Sequence, residues 1–313
     1  MLSKEEISFT SLSRVDTIDC LEKYLEEKTQ MDVTVGVKYL TEFMATALLV
    51  MIGNGSVANV ELKGTKGHNS GWVIIAIGYG MAVMIPALMF GNVSGNHINP
   101  AFTLALAISG YFDWAQVPMY LVAQILGAMF GQLMVVAAYQ PYFAKTDDAN
   151  RILAPFSTTA AVDDGTEATR IASWINGFIN EFIGSFILFF SAMAMTRNYF
   201  GAELSSYLSA QGTDLTDSAN IMNMLPYQAA GKGIAHLALG FLVMALVVAF
   251  GGPTGPALNP ARDLGPRIVH WLLPTSVLGE HKGDSKWWYA WVPVVAPILA
   301  GIAAVALYKV VFG

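Results

Sequence analysis

Apolar residues run along this chain in long blocks rather than on one face of a helix or in alternation. Six blocks, roughly 37–60, 71–90, 114–139, 174–195, 233–250 and 287–311, reach the length of about 20 residues that a membrane-spanning helix needs. Two further apolar pieces, 99–108 and 259–272, are about half that length and too short to cross. The order is three long blocks with a short piece after the second, followed by the same arrangement again. The pattern predicts an all-α membrane protein with six transmembrane helices and two half-helices. The first 35 residues are polar, carry charges of both signs and hold no apolar run long enough for a signal peptide. They read as a solvated N-terminal extension, 1–35, with helical tendency around 17–28, ahead of a membrane domain over 36–313. Two polar loops, about 140–173 and 196–232, carry no recognisable motif and read as variable insertions.

The two halves, about 36–139 and 174–313, also echo each other in their letters. YLTEFMATALLVM in the first block resembles FINEFIGSFILFF in the fourth, which pairs Glu42 with Glu181. SGNHINPAFTLAL resembles TGPALNPARDLGP. Three spans per repeat is an odd number, so the second copy enters the membrane upside down. The short pieces then become re-entrant half-helices in an inverted 3+3 repeat, with the site at the repeat interface near the midplane. An even number of spans places both termini on one side. Lys4, Arg14, Lys23, Lys28 and Lys38 precede the first span and point to the cytoplasm, although Lys63, Lys66, Lys145, Arg151 and Arg170 in the opposite loops blunt the asymmetry.

Composition narrows the function. Of the 313 residues, 54% are hydrophobic and 13% are charged, against about 25% charged in a soluble domain. Mean hydropathy is +0.49. These values exclude a soluble globular domain and a disordered chain. The net charge of −6 leaves no basic footprint for nucleic acid. The single cysteine, Cys20, cannot form an internal disulfide, and no Cys/His cluster has metal-ligand spacing. No nucleophile–base pair is visible, so neither an enzyme nor a bound cofactor is expected. Trp287, Trp288 and Trp291 read as interfacial anchors, and the Gly127–Gly131 spacing as a helix contact.

The chemistry sits in a triplet that occurs twice, Asn99–Pro100–Ala101 and Asn259–Pro260–Ala261, each opening one of the short pieces. Asparagine is a good N-cap and proline suits the first helical turn, so each triplet should start a half-helix. The extended residues ahead of it leave unpaired carbonyls, which survive in lipid only where they line a wet cavity. The inverted repeat would bring the two positive helix ends together near the bilayer centre. The Asn99 and Asn259 amides would donate into a narrow lumen, while cations and protons would meet two positive dipole ends. Arg262 lies three residues after Asn259, and an arginine in an apolar segment is a functional candidate by default. Its alternative role is a salt bridge to Asp263. Glu42 and Glu181 are either a proton relay or acceptors that brace the re-entrant loops, and the repeat symmetry favours bracing. Gln124 reads as a similar brace. His97 reads as a loop anchor, with pH sensing as the alternative.

With these motifs the chain, from about residue 37 onward, resembles the aquaporin family. GPTGPALNPARDLGPR, with Asp263 directly after Arg262, together with Arg267, Pro293 and Pro297, is similar to the aquaglyceroporin branch and its bacterial glycerol facilitators, notably those of lactic-acid bacteria. The resemblance implies a selectivity filter of Tyr79, Val247, Pro256 and Arg262. Well-known glycerol facilitators have aromatic residues at the positions of Tyr79 and Pro256 and glycine at that of Val247; water-specific relatives have histidine at the last. It further implies an acceptor ladder of carbonyls from Gly95, Asn96 and His97 and from Gly255, Pro256 and Ala257. The expected activity is passive passage of glycerol, water and related small neutral solutes, dihydroxyacetone and protonated lactic acid among them, with ions and protons excluded. A plasma-membrane homotetramer with cytoplasmic termini is implied. A water- or peroxide-selective channel remains the nearest alternative. A secondary transporter, for which the apolar segments offer only Glu42, Glu181 and Arg262, and an ion channel, for which no acidic ring is present, are more distant.

Overall fold

The computed structural model describes residues 33–196, 210–212 and 218–312, with side chains left out over 218–230. Two units are distinguished. The one described below comprises Gly36–Arg197 and Gly233–Gly313. The expected N-terminal extension and its helical tendency lie almost wholly outside the described residues. The helices are α1 (Val35–Glu61), α2 (Trp72–Ser94), α3 (Pro100–Ile108), α4 (Val117–Phe143), α5 (Ala149–Leu153), α6 (Glu167–Thr196), α7 (Ser218–Thr254), α8 (Pro260–Leu272), α9 (Thr275–Leu278) and α10 (Val292–Phe312). Among the described residues six helices are long and apolar enough to cross a membrane, and they overlap the six predicted blocks. Backbone hydrogen bonding inside each helix is what makes such spans possible in lipid, where no water can satisfy a stray N–H or C=O. Their outward faces are apolar: Val73 and Phe241 are each 62% exposed, which is stable against hydrocarbon and not against water.

The half-helices α3 and α8 start where the triplets predicted. Asn99 and Asn259 are their N-caps, with side-chain oxygens accepting from the backbone of Ala101 (3.0 Å) and Ala261 (3.0 Å), and the prolines occupy the first turn. Each half-helix packs against both α4 and α10, the third spans of the two repeats, and the two tips contact each other. Small residues permit these approaches. A Cβ on Gly127 or Gly131 of α4 would lie 2.3 Å from the Phe43 carbonyl oxygen or 2.4 Å from that of Ala47 on α1, so this pair is a helix-packing contact. Gly131→Ala should therefore destabilise the fold by about 1–3 kcal/mol, because backbone and not a flexible side chain must give way. Thermal unfolding in detergent measures this; an unchanged midpoint would refute the contact.

Two loop expectations need correcting. The polar stretch 196–232 is not loop throughout, since α7 begins at Ser218, well before its apolar part. The stretch 140–173 is not loop throughout either. It contributes α5 and then a segment that folds onto α8 and the end of α7, with the Thr158 N–H donating to Asp263 (2.8 Å) and the Ala161 N–H to the Pro253 carbonyl (2.8 Å). Of the aromatic anchors, Trp287 and Trp291 are exposed at 40% and 42%, but Trp288 packs inward against Trp174, whose indole N–H donates to its carbonyl (3.1 Å).

Candidate functional site: a constriction between two cavities

The loops ahead of the half-helices are built from the same parts twice. Glu42 on α1 accepts from the Ser94 hydroxyl and from the backbone N–H groups of His97 and Ile98, each at 2.8 Å. Glu181 on α6 accepts from the Thr254 hydroxyl (3.2 Å) and from the N–H groups of Ala257 and Leu258, both at 2.8 Å. Both carboxylates are fully buried, and these six bonds all come from the re-entrant loop, or the helix end leading into it, of their own repeat. Gln124 joins the first set, donating to Glu42 (2.9 Å) and to the Thr103 hydroxyl (3.0 Å). His97 meets Thr103 at 3.2 Å and packs among Phe102, Phe112 and Tyr120. These contacts are those of braces.

The loop backbone is not simply extended. Asn96, Ile98 and Leu258 have φ of 49°, 46° and 51°, and Gly95 and Gly255 have 83° and 64°. A left-handed non-glycine residue costs of order 1–3 kcal/mol and persists only when its surroundings over-determine it. Here the two carboxylates do so by capturing the adjacent N–H groups. The result turns carbonyls out of helical pairing. Among the described residues no hydrogen bond ends on the carbonyls of Gly95, Asn96, His97, Gly255, Pro256 or Ala257. His97, Asn96 and Ala257 line one cavity, Gly255 lines another and Pro256 lines both. Gly95 lines neither of these two; it ends α2 as a left-handed cap, its N–H bonded to the Gly91 carbonyl (3.2 Å).

At the tips the motifs are cross-linked. The Asn99 amide donates to the Leu258 carbonyl (2.8 Å), and the Asn259 amide donates to that of Ile98 (2.7 Å). This modifies the expectation that both amides point wholly into a lumen: one N–H of each is spent on the facing loop, leaving one for a passing molecule. The buried alanines explain the triplet's third letter. Ala261 packs against Val50 and Ala128, and Ala101 against Ala105 and Phe189.

Beyond the tips lies a narrow place. One cavity, containing Leu49, Asn99, Leu239 and Asn259 in its wall, runs along the junction of the motifs. A second, containing Trp72, Asn150, Thr158 and Gly252, opens beyond it. Tyr79, Val247, Pro256 and Arg262 belong to both walls and are the residues the two cavities share. Arg262 is held by its Nη1–H donating to the Phe156 carbonyl (3.0 Å), with its guanidinium carbon 5.1 Å from the Tyr79 ring centre. Its Nε has no hydrogen-bond partner among the described residues, although Arg262 is only 3% exposed. The reading in which Arg262 is neutralised by Asp263 is overturned. Asp263 instead pairs with Arg267 (2.8 and 3.1 Å) and accepts from the Thr158 backbone and hydroxyl (2.8 and 2.9 Å). Arg267 also donates to the carbonyls of Ser285 and Thr158 (2.7 and 2.9 Å). A buried pair is tolerable only when its remaining polar valences are filled, and these are.

Sequence reasoning missed Phe156, Thr158 and Trp72. The first two come from the stretch read as an insertion, and nothing local marks a backbone carbonyl as a partner for an arginine a hundred residues away. Trp72 donates its indole N–H to the Val247 carbonyl (2.9 Å) and lies over Gly251, where a Cβ would sit 1.8 Å from the indole nitrogen. The tryptophan was legible as a residue at the mouth of a span, but not its partner.

Six apolar spans, an inverted repeat and two capped half-helices meeting beside a buried arginine define a multi-pass membrane protein of channel architecture. The chain belongs to the family described as Major intrinsic protein, which it matches over residues 30–308. It is 61% identical over 290 residues to the "Glycerol facilitator-aquaporin gla" of Lactococcus lactis subsp. cremoris, covering 90% of this chain and 100% of that one. It is 42% identical to the "Glycerol uptake facilitator protein-like 5" of Lactiplantibacillus plantarum, covering 88% and 97%. In fold it resembles the solved aquaglyceroporin of Plasmodium falciparum, with a TM-score of 0.65 at 24% identity, covering 89% of this chain and 98% of that one.

Proposed function

We propose that the chain is a passive channel for glycerol, related small neutral solutes and water, with Tyr79, Val247, Pro256 and Arg262 as its selectivity constriction. The observation that carries this reading is that, among the described residues, those four are the ones common to the walls of both cavities. A polyol has a CH side and an OH side. The Tyr79 ring, Val247 and Pro256 match the first, and the Arg262 guanidinium matches the second. The free carbonyls of Asn96, His97, Gly255, Pro256 and Ala257 accept hydroxyl protons, and the remaining N–H of Asn99 and Asn259 donates to hydroxyl oxygens. Stripping water from a hydroxyl without such replacement costs several kcal/mol, and this matching removes most of that barrier. Asn99 and Asn259 also mark two helix N-termini facing each other, a junction that repels cations. Dihydroxyacetone and protonated lactic acid fall within the same size and hydrogen-bonding class.

The relatives named as glycerol facilitators support the choice of solute. We assign both termini to the cytoplasm of a plasma-membrane homotetramer, as the even span count and the family resemblance imply. Glu42, Glu181, Gln124 and Asp263 act as structural supports. Proteoliposomes containing the protein should re-swell in a glycerol gradient at least about tenfold faster than empty vesicles, the effect of lowering a permeation barrier by about 1.4 kcal/mol. Equal rates would remove the polyol reading, and rapid water flux with glycerol excluded would move the assignment to a water channel.

A further inference from the structure

Tyr79 presents its ring to both cavities, but a phenol at a constriction also carries a hydroxyl. In this fold that hydroxyl is taken away from the lumen. It donates to Asn54 Oδ1 at 2.5 Å, and the Asn54 amide in turn donates to Gln132 Oε1 at 2.7 Å. Asn54 on α1 and Gln132 on α4 are both fully buried, and neither lines either cavity of the constriction. The neighbouring Gly53 completes the seat, since a Cβ there would lie 2.4 Å from Tyr79 Cε1. On the next turn of contact, a Cβ on Gly78 would lie 1.9 Å from the Ser56 hydroxyl oxygen, so α1 and α2 meet at glycines on both sides. The ring is therefore gripped at its hydroxyl by Asn54 and along one edge by the α1 backbone. Its centre faces the Arg262 guanidinium.

We infer that Asn54 and Gln132 are positioning residues for solute selection: they hold the Tyr79 hydroxyl out of the pathway, so that passing solutes meet an apolar ring and not a phenol. This rests on the constriction assigned above. The polar relay is placed where only packing would otherwise be needed. A polar side chain buried between spans needs a partner, and a carboxamide can accept from the tyrosine while donating onward. With the hydroxyl captured, Tyr79 offers passing solutes its ring and no hydrogen-bonding group. Discrimination between a CH-rich polyol and water then depends on this capture. If Asn54 cannot accept, the hydroxyl must seek another partner, and the constriction that Tyr79 lines beside Arg262 offers one.

The test is a double-mutant cycle read as the ratio of glycerol to water permeability in the same proteoliposomes. The ratio is independent of how much protein has inserted. Asn54→Leu should lower the ratio by about threefold or more, the effect of a hydrogen bond of ordinary strength. Gln132→Leu, one bond further out, should lower it less. Tyr79→Phe removes the hydroxyl itself, and in that background Asn54→Leu should change nothing further. A packing role for Asn54 would instead produce the same fall in both backgrounds, and that result, or no fall from Asn54→Leu in the native background, overturns the inference. If Asn54→Leu does not yield folded protein, Asn54→Ser, too short to bridge Tyr79 and Gln132, is read in the same cycle. Native vesicles that fail to pass glycerol would refute the channel reading, and are distinguished from failure of the relay by being measured first.

Discussion

Arg262→Val is expected to raise cation leak through reconstituted vesicles on the order of 100-fold, the loss of a repulsion worth ~3 kcal/mol between unit charges about 5 Å apart at an effective dielectric constant near 20. The same change should flatten the ranking of neutral solutes. Valine supplies no donor, so the Phe156 carbonyl loses its partner and the OH side of a polyol loses the guanidinium. The aperture also widens toward Tyr79, whose ring faces the guanidinium in the native protein. Exclusion should not vanish, because the opposed N-termini of α3 and α8 remain at the tips of the motifs. A pH-sensitive dye and a potassium electrode record the leak, and a solute panel records the ranking. If both stay at native values, the constriction lies elsewhere.

Glu181→Ala should cost about 2–6 kcal/mol of stability, since it orphans two buried backbone N–H groups at about 1–3 kcal/mol each. Those groups belong to Ala257 and Leu258, and Leu258 sits at a left-handed φ of 51° that the carboxylate helps to impose. Losing them releases the Leu258 carbonyl from its bond to Asn99, so conduction should fall with stability. By the repeat symmetry Glu42→Ala should behave alike, acting through His97, Ile98 and the carbonyl that Asn259 binds. Thermal unfolding in detergent and glycerol flux measure the two effects. Glu181→Gln separates the bracing role from a proton relay, because it cannot carry charge but keeps one of the two acceptor oxygens that Ala257 and Leu258 use. It should lose about 1–3 kcal/mol of stability, one backbone N–H being left facing an amide donor, while the folded protein keeps its flux. Flux abolished in a folded Glu181→Gln protein would return the residue to a relay role.

Much of this molecule could be read before any coordinates. The six spans follow from blocks of apolar residues, because in lipid a helix must satisfy its own backbone and cover it with hydrocarbon. The half-helices follow from Asn-Pro at the start of runs too short to cross, since an N-cap and a first-turn proline act within a few residues of themselves. Glu42 and Glu181 were visible as a pair because they recur at matching places in the two repeats. Arg262 stood out through its cost in an apolar segment, although its partner did not. The acid next to it in the chain was the obvious candidate, yet adjacent residues on a helix do not face each other, and Asp263 turns to Arg267 one turn on. Val247 and Pro256 were named through family resemblance; no feature of their own would have singled them out.

The sequence by itself thus determined the elements, their inverted order and the helix caps, all of which depend on interactions within a turn or two of the chain. Only the tertiary structure decided which groups meet: Asn99 with Leu258, Arg262 with Phe156, and Tyr79 with Asn54 and then Gln132. Those pairings join segments far apart in the chain, and they exist because glycines and alanines let particular helices approach to backbone contact. Close approach of this kind is a property of two surfaces together, and a linear pattern describes only one at a time.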